Sequence, residues 1–216
     1  MNPYIDLHLL SDNKFLDKIQ NHPIKNIILN ILEKRKMKKN KINILEFGSG
    51  HGDISLSLAY HVNNVIGIDI SIKMIEYSNL IKKRLHCLDS NIEKKNNVIF
   101  SKKLSNVFSM KINVIIAINS MHFVAINKIE ETIKIFLSKI SKDGLIIIQE
   151  PTKKSKFAKL TDIKKKKQKF KNLKETEKKL DEVLFSLSLK NNIMYKKLYY
   201  NLTNLYLIFN NESQNT

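Results

Sequence analysis

An apolar run that ends in three closely spaced glycines constrains this chain more than any other feature. Residues 42–52 read Ile-Asn-Ile-Leu-Glu-Phe-Gly-Ser-Gly-His-Gly, with glycines at 48, 50 and 52 and Glu46 two places before the first. Asp53–Tyr60 then reads as the start of a helix. A buried strand that turns through glycines into a helix makes a nucleotide-binding turn, because the backbone can bend sharply, a ligand can approach it, and the helix start offers free N–H groups. The dinucleotide fingerprint wants its third glycine one residue later, where this chain has Asp53. No Gly-Lys-Ser/Thr follows, which excludes a phosphate-cradling P-loop.

A second apolar run, Asn64–Ile68, ends at Asp69, 19 positions after Gly50. That is close to the ~20-residue spacing of the acid that takes ribose hydroxyls in folds of this kind. The acid before Gly-x-Gly-x-Gly resembles motif I of the class I S-adenosylmethionine (AdoMet) methyltransferases. Gly67-Ile-Asp-Ile-Ser-Ile-Lys-Met-Ile75 is similar to the segment that follows it there, with Ser71 as a helix cap. Ile112–Ile118 followed by Asn119-Ser-Met-His-Phe-Val124 looks like motif IV of the small-molecule members, and Leu145-Ile-Ile-Ile-Gln-Glu-Pro151 like their fifth strand. AdoMet carries no phosphate and bears a positive sulfonium and ammonium, so a carboxylate at the strand mouth suits it.

The resemblance is carried by motifs over residues 42–150 and by element order beyond, in the manner of type-11/type-12 methyltransferase domains. It implies an α/β, Rossmann-like class I methyltransferase fold, a seven-stranded mostly parallel sheet of order 3-2-1-4-5-7-6 with helices on both faces. Residues 1–41 become an N-terminal helical lid, 42–210 the methyltransferase domain and 211–216 a polar tail. Tyr4, His8 and Tyr60 are lid candidates, although packing or solvent exposure suits each better. The implied cofactor is AdoMet, held by Glu46, Gly48, Gly50, Gly52, Asp69, Ile70, Met74 and Asn119, with Met74 toward the adenine. His122 is the implied catalytic base and Asn119 its orienting partner, and no metal-ligand set is read. The family's adenine-binding acid after strand three is missing from Ser101–Phe108. Ser105 or Asn106 stands in for it there, and Leu104 or Phe108 can flank the ring.

The expected reaction is methyl transfer to an O, N or C nucleophile of a small-molecule acceptor. The Asn/Asp-Pro-Pro-Tyr/Phe of amino-group DNA and protein-glutamine methyltransferases is absent. Two alternatives stand beside it. One is an RNA-binding or RNA-modifying protein anchored by the lysines of Lys153–Lys174. The other is an inactive methyltransferase-like subunit, suggested by the missing adenine acid. The net charge of +18 does not decide for RNA, because only Arg35 and Arg84 among 38 basic residues are arginine, the residue that pairs phosphates and guanines bidentately.

Several local readings complete the expectation. Leu9–Ile19, Ile24–Leu32, Ile72–Leu85, Asn127–Ile140 and Leu173–Leu189 have helical spacing. Lys142-Asp143-Gly144 reads as the turn before strand five, and Glu150 as a solvated strand end or part of the acceptor lining. Thr152–Lys179 reads as a basic loop with a solvated helix start, and Ile193–Tyr200 with Asn204–Asn210 as a closing hairpin. The lone Cys87 reads as a semi-buried free thiol suited to a reducing compartment. The start of the chain lacks a basic segment leading into an apolar one, and the apolar runs are short, so a cytoplasmic, soluble protein is expected.

Overall fold

In the computed structural model, residues 10–91, 97–102, 110–152, 163–190, 193–200 and 203–210 are described. Among the described residues seven strands form. The Ile- and Val-rich runs at 114–118 and 145–148 are buried on both faces, as parallel strands covered by helices require, whereas 196–199 is exposed. The strands are β1 (Asn43–Phe47), β2 (Asn64–Ile68), β3 (Val98–Ser101), β4 (Ile112–Ile118), β5 (Ile140–Pro151), β6 (Ile193–Tyr200) and β7 (Thr203–Asn210). They make one seven-stranded sheet of order β3-β2-β1-β4-β5-β7-β6 with helices on both faces, the expected order. The chain divides into two compact units, Met1–Met110 and Lys111–Thr216.

In the first unit β1, β2 and β3 are parallel, with Leu45 opposite Ile66 and Val65 opposite Val98. Helix α1 (Asp12–Gln20) buries Phe15 and Ile19, and α2 (Pro23–Lys34) buries Ile28 and Leu32. Pro23 starts α2 where its missing N–H has no helical partner to lose. Helix α3 (Asp53–Ala59) buries every residue from Ile54 onward. Helix α4 (Ile72–Leu88) begins at Ser71, whose Oγ accepts from the Met74 N–H at 3.4 Å, the expected cap. Arg84 on α4 donates to Leu10 O (2.6 Å) and Asp12 Oδ1 (2.7 Å) and stacks 4.5 Å above the Phe15 ring, fixing the start of α1. Cys87 is exposed rather than semi-buried, because it lies off the Ile81–Leu85 stripe that faces the core.

In the second unit β4 and β5 are parallel, and β7 runs antiparallel between β5 and β6. Strand β5 is longer than expected. Lys142–Gly144 lies inside it as a bulge, not before it as a turn, and the pairing jumps from Ile112–Ile140 to Val114–Leu145. A Cβ at Gly144 would come within 2.2 Å of the Ile140 side chain, which explains the glycine at this fold-back. Helix α5 (Ile129–Lys139) buries Ile129, Ile133 and Phe136. Helix α6 (Ile163–Lys190) starts well before Leu173, since the lysine-rich stretch holds no Gly or Pro and lysine is a good helix former. Its buried stripe is Leu173, Leu180, Val183, Leu184 and Leu187. Among the described residues no helix is long and apolar enough to cross a membrane.

Candidate functional site

The glycine turn of the first unit is built as a cradle. Gly48, Gly50 and Gly52 all have positive φ (71°, 51° and 77°), and Gly48 and Ser49 donate their N–H groups to Ile68 O at 2.8 and 3.0 Å. The three glycines serve different ends. A Cβ on Gly52 would lie 2.4 Å from the Phe100 ring, so that position is closed by packing. Gly50 has no atom of the described residues within 4 Å of where its Cβ would be. Ser78 Oγ bonds to Gly50 O (2.8 Å) and to Met74 O (2.7 Å), tying the turn to α4.

Asp69, at the end of β2, braces the turn from the other side. Its Oδ2 accepts from Gly50 N–H (2.9 Å) and its Oδ1 from Ser71 N–H (2.8 Å). A carboxylate has about four lone-pair sites, so two bonds leave acceptor capacity for two hydroxyls. Ile70 beside it is 87% exposed, and Met74 is half-buried one turn into α4.

Glu46 is buried and accepts a hydrogen bond from Ser55 Oγ on α3. Burial pushes its carboxyl up to about 8. Asp53 and Asp69 add to the rise, and the Ser55 bonds oppose it. Asp53 behaves oppositely. Burial alone would raise it, but His22, whose Nε2 lies 3.5 Å from its Oδ2, and the Ile54 N–H (3.1 Å) outweigh burial and lower it. Ser49 Oγ is buried in the same turn with no hydrogen-bond partner among the described residues. Backbone clear of the described residues at Gly50, acceptor capacity at Asp69 and this buried hydroxyl fit a polar ligand carrying vicinal hydroxyls.

The second unit holds the other predicted residues. Asn119 leaves β4 in a left-handed conformation (φ 52°), its N–H donating to Gln149 O at 2.7 Å and its side chain exposed. His122 follows in a short 3-10 turn, Met121–Phe123, and is buried. Its Nδ1 lies 2.6 Å from Glu150 Oε2, and the Met121 N–H donates to Oε1 at 2.7 Å. A carboxylate only accepts, so His122 donates to Glu150 through Nδ1. Glu150 is therefore a buried partner of His122 and not a solvated strand end. The pairing of Ile118 with Gln149 brings the ends of β4 and β5 level, and two polar groups after adjacent parallel strands were the available signal. Phe123 packs 4.1 Å from the imidazole and is 75% exposed.

Tyr60 donates to Asp89 Oδ2 at 2.8 Å, a packing contact. Tyr4, His8, Leu104, Ser105, Asn106, Phe108 and the tail 211–216 lie outside the described residues, as do the side chains of Lys153–Lys171.

A family profile described as a methyltransferase domain matches residues 16–186, most of the chain. The chain belongs to this family, as a class I AdoMet-dependent methyltransferase. No curated protein sequence matches it. Among solved structures, the plantazolicin methyltransferase BpumL, crystallised with a monoazolic desmethylPZN analogue and SAH, superposes with TM-score 0.60 at 15% identity over 92% of this chain and 90% of that one. Magnesium protoporphyrin IX methyltransferase (ChlM) from Synechocystis PCC 6803, with bound SAM, gives 0.59 at 12% identity over 93% and 85%. The methyltransferase domain of bacterial CtHen1-C gives 0.65 at 14% over 88% and 98%. At these identities the likeness is one of fold.

Proposed function

We propose that the chain transfers a methyl group from AdoMet to an O, N or C nucleophile of a small-molecule acceptor. The observation that carries the cofactor reading is the turn at Gly50, clear of the described residues on its ligand side and braced from beneath by Asp69. When bound, AdoMet supplies an electrophilic methyl group on a sulfonium. Asp69 takes the ribose hydroxyls with its remaining lone pairs, Gly48, Gly50 and Gly52 let the ligand lie against backbone, and Ile70 and Met74 offer apolar surface to the adenine. Glu46 lies buried on β1, bonded to Ser55 of α3 beside the turn.

His122 takes the proton of a protic acceptor at Nε2, with Glu150 holding the ring in the tautomer this requires. The small-molecule reading is supported by the plantazolicin analogue named with BpumL and by the porphyrin in the name of ChlM.

The test is to incubate the protein with AdoMet labelled in the methyl group and with cell extract, then separate small molecules, RNA and protein. Label in the small-molecule fraction, lost in His122→Asn, is the expected result. Label in RNA moves the acceptor to the alternative reading, and no transfer by a protein that binds AdoMet favours the inactive-subunit reading.

A further inference from the structure

Glu46 is a buried ionisable group at the strand end that leads into the glycine turn. It sits on β1 opposite Gly67, which has no side chain, and its recorded partner is the neutral Ser55 hydroxyl. Among the described residues, the charged groups that act on it are two carboxylates, Asp53 from α3 and Asp69 from the end of β2. β2 offers no charged side chain before Asp69. His22 at the start of α2 and Lys18 on α1 act on Asp53. An ionised carboxylate buried without a cation and beside two like charges is strongly disfavoured, and such a group responds by holding its proton.

The inference rests on the AdoMet-binding reading above. We propose that Glu46 is carried as the neutral acid in the free protein and gives up its proton when a sulfonium-bearing ligand binds at the glycine turn. This makes Glu46 the residue that favours AdoMet over its product, S-adenosylhomocysteine, whose sulfur is uncharged. The proton leaves to solvent, the Glu46 carboxylate and the sulfonium balance each other in a low-dielectric site, and loss of the sulfonium charge on methyl transfer returns the proton. With a carboxyl at about 8, about nine in ten molecules hold this proton at pH 7.

The experiment is calorimetric titration of the full chain with AdoMet and with S-adenosylhomocysteine, in buffers of differing ionisation enthalpy. Wild type and Glu46→Gln are compared. The ligands' own α-ammonium titrates equally in both proteins, so the difference isolates Glu46. Expected is net release of most of a proton on AdoMet binding to the wild type, absent from the variant and from S-adenosylhomocysteine binding. The wild-type preference for AdoMet over the product should rise with pH up to about 8 and then level off, up to tenfold per pH unit. A carbon-13 titration of the Glu46 side-chain carboxyl in the ligand-free wild type reads its state directly, whether or not the variant folds. Equal proton release by wild type and variant, or a free-protein carboxyl titrating in the ordinary range, overturns the proposal. Absence of AdoMet binding by the folded wild type overturns instead the cofactor reading on which the proposal rests.

Discussion

His122 and Glu150 bury their side chains against each other, Nδ1 to Oε2 2.6 Å, while the Met121 N–H holds the second carboxylate oxygen at 2.7 Å. One side chain thereby satisfies two donors of the turn after β4. Glu150→Ala removes the carboxylate from both and should cost about 3 kcal/mol of folding stability, against about 1 kcal/mol for Glu150→Gln, which keeps one acceptor oxygen. Urea unfolding measures the difference. A near-neutral alanine variant would show that the pair contributes little to the turn.

The glycines of the turn should separate by mutation. Gly52→Ala forces a methyl group to within 2.4 Å of the Phe100 ring at a left-handed residue and is expected to cost more than about 2 kcal/mol, or to prevent folding. Gly50→Ala meets no atom of the described residues, so only the left-handed strain applies, about 1 kcal/mol, while AdoMet affinity falls because the methyl group occupies the ligand side. Thermal unfolding and binding, measured side by side, check the contrast.

Asp53 gives a pH dependence of one sign. Its folded value lies below the 3.8 of an ordinary aspartate, so its contribution is fully present above 3.8 and disappears as pH falls through the folded value. The side chain is partly exposed, which limits the contribution to about 1 kcal/mol. Asp53→Asn should therefore destabilise at pH 7 and converge with the wild type in acid. His22→Asn should reproduce part of the loss at pH 7.

Glu46 gives the opposite sign. Between 4.5 and about 8 the folded protein holds a proton that the unfolded chain has lost, so its contribution falls as pH rises across that window. Glu46→Gln, which carries no charge to bury, should gain melting temperature over the wild type at pH 8.5 (about the top of the window) and little near pH 5. Parallel melts at the two pH values decide it.

The parts of the molecule that were legible in the sequence are those fixed by near neighbours in the chain. The strand-turn-helix at Glu46–Asp53 and the Ser71 cap each depend on a few adjacent residues, and both appear as read. The strand order followed from the family resemblance rather than from any local signal. The contact between His122 and Glu150 spans 28 residues and exists only because β4 and β5 pair in register, so it could not be read from either segment alone. The bulge at Lys142–Gly144 was hidden because a Gly-containing polar triplet looks the same in a turn and in a bulge. The early start of α6 was hidden because a lysine run has no apolar periodicity to mark it.

Calorimetric titration of AdoMet into wild type and Asp69→Ala, with thermal melts to confirm that both are folded, tests the central claim most directly. The wild type should bind AdoMet saturably, in the micromolar range, and the variant should lose it, because Asp69 braces Gly50 and is the proposed acceptor for the ribose hydroxyls. A folded wild type that binds neither AdoMet nor S-adenosylhomocysteine, or an Asp69→Ala protein that binds as tightly as the wild type, would contradict it.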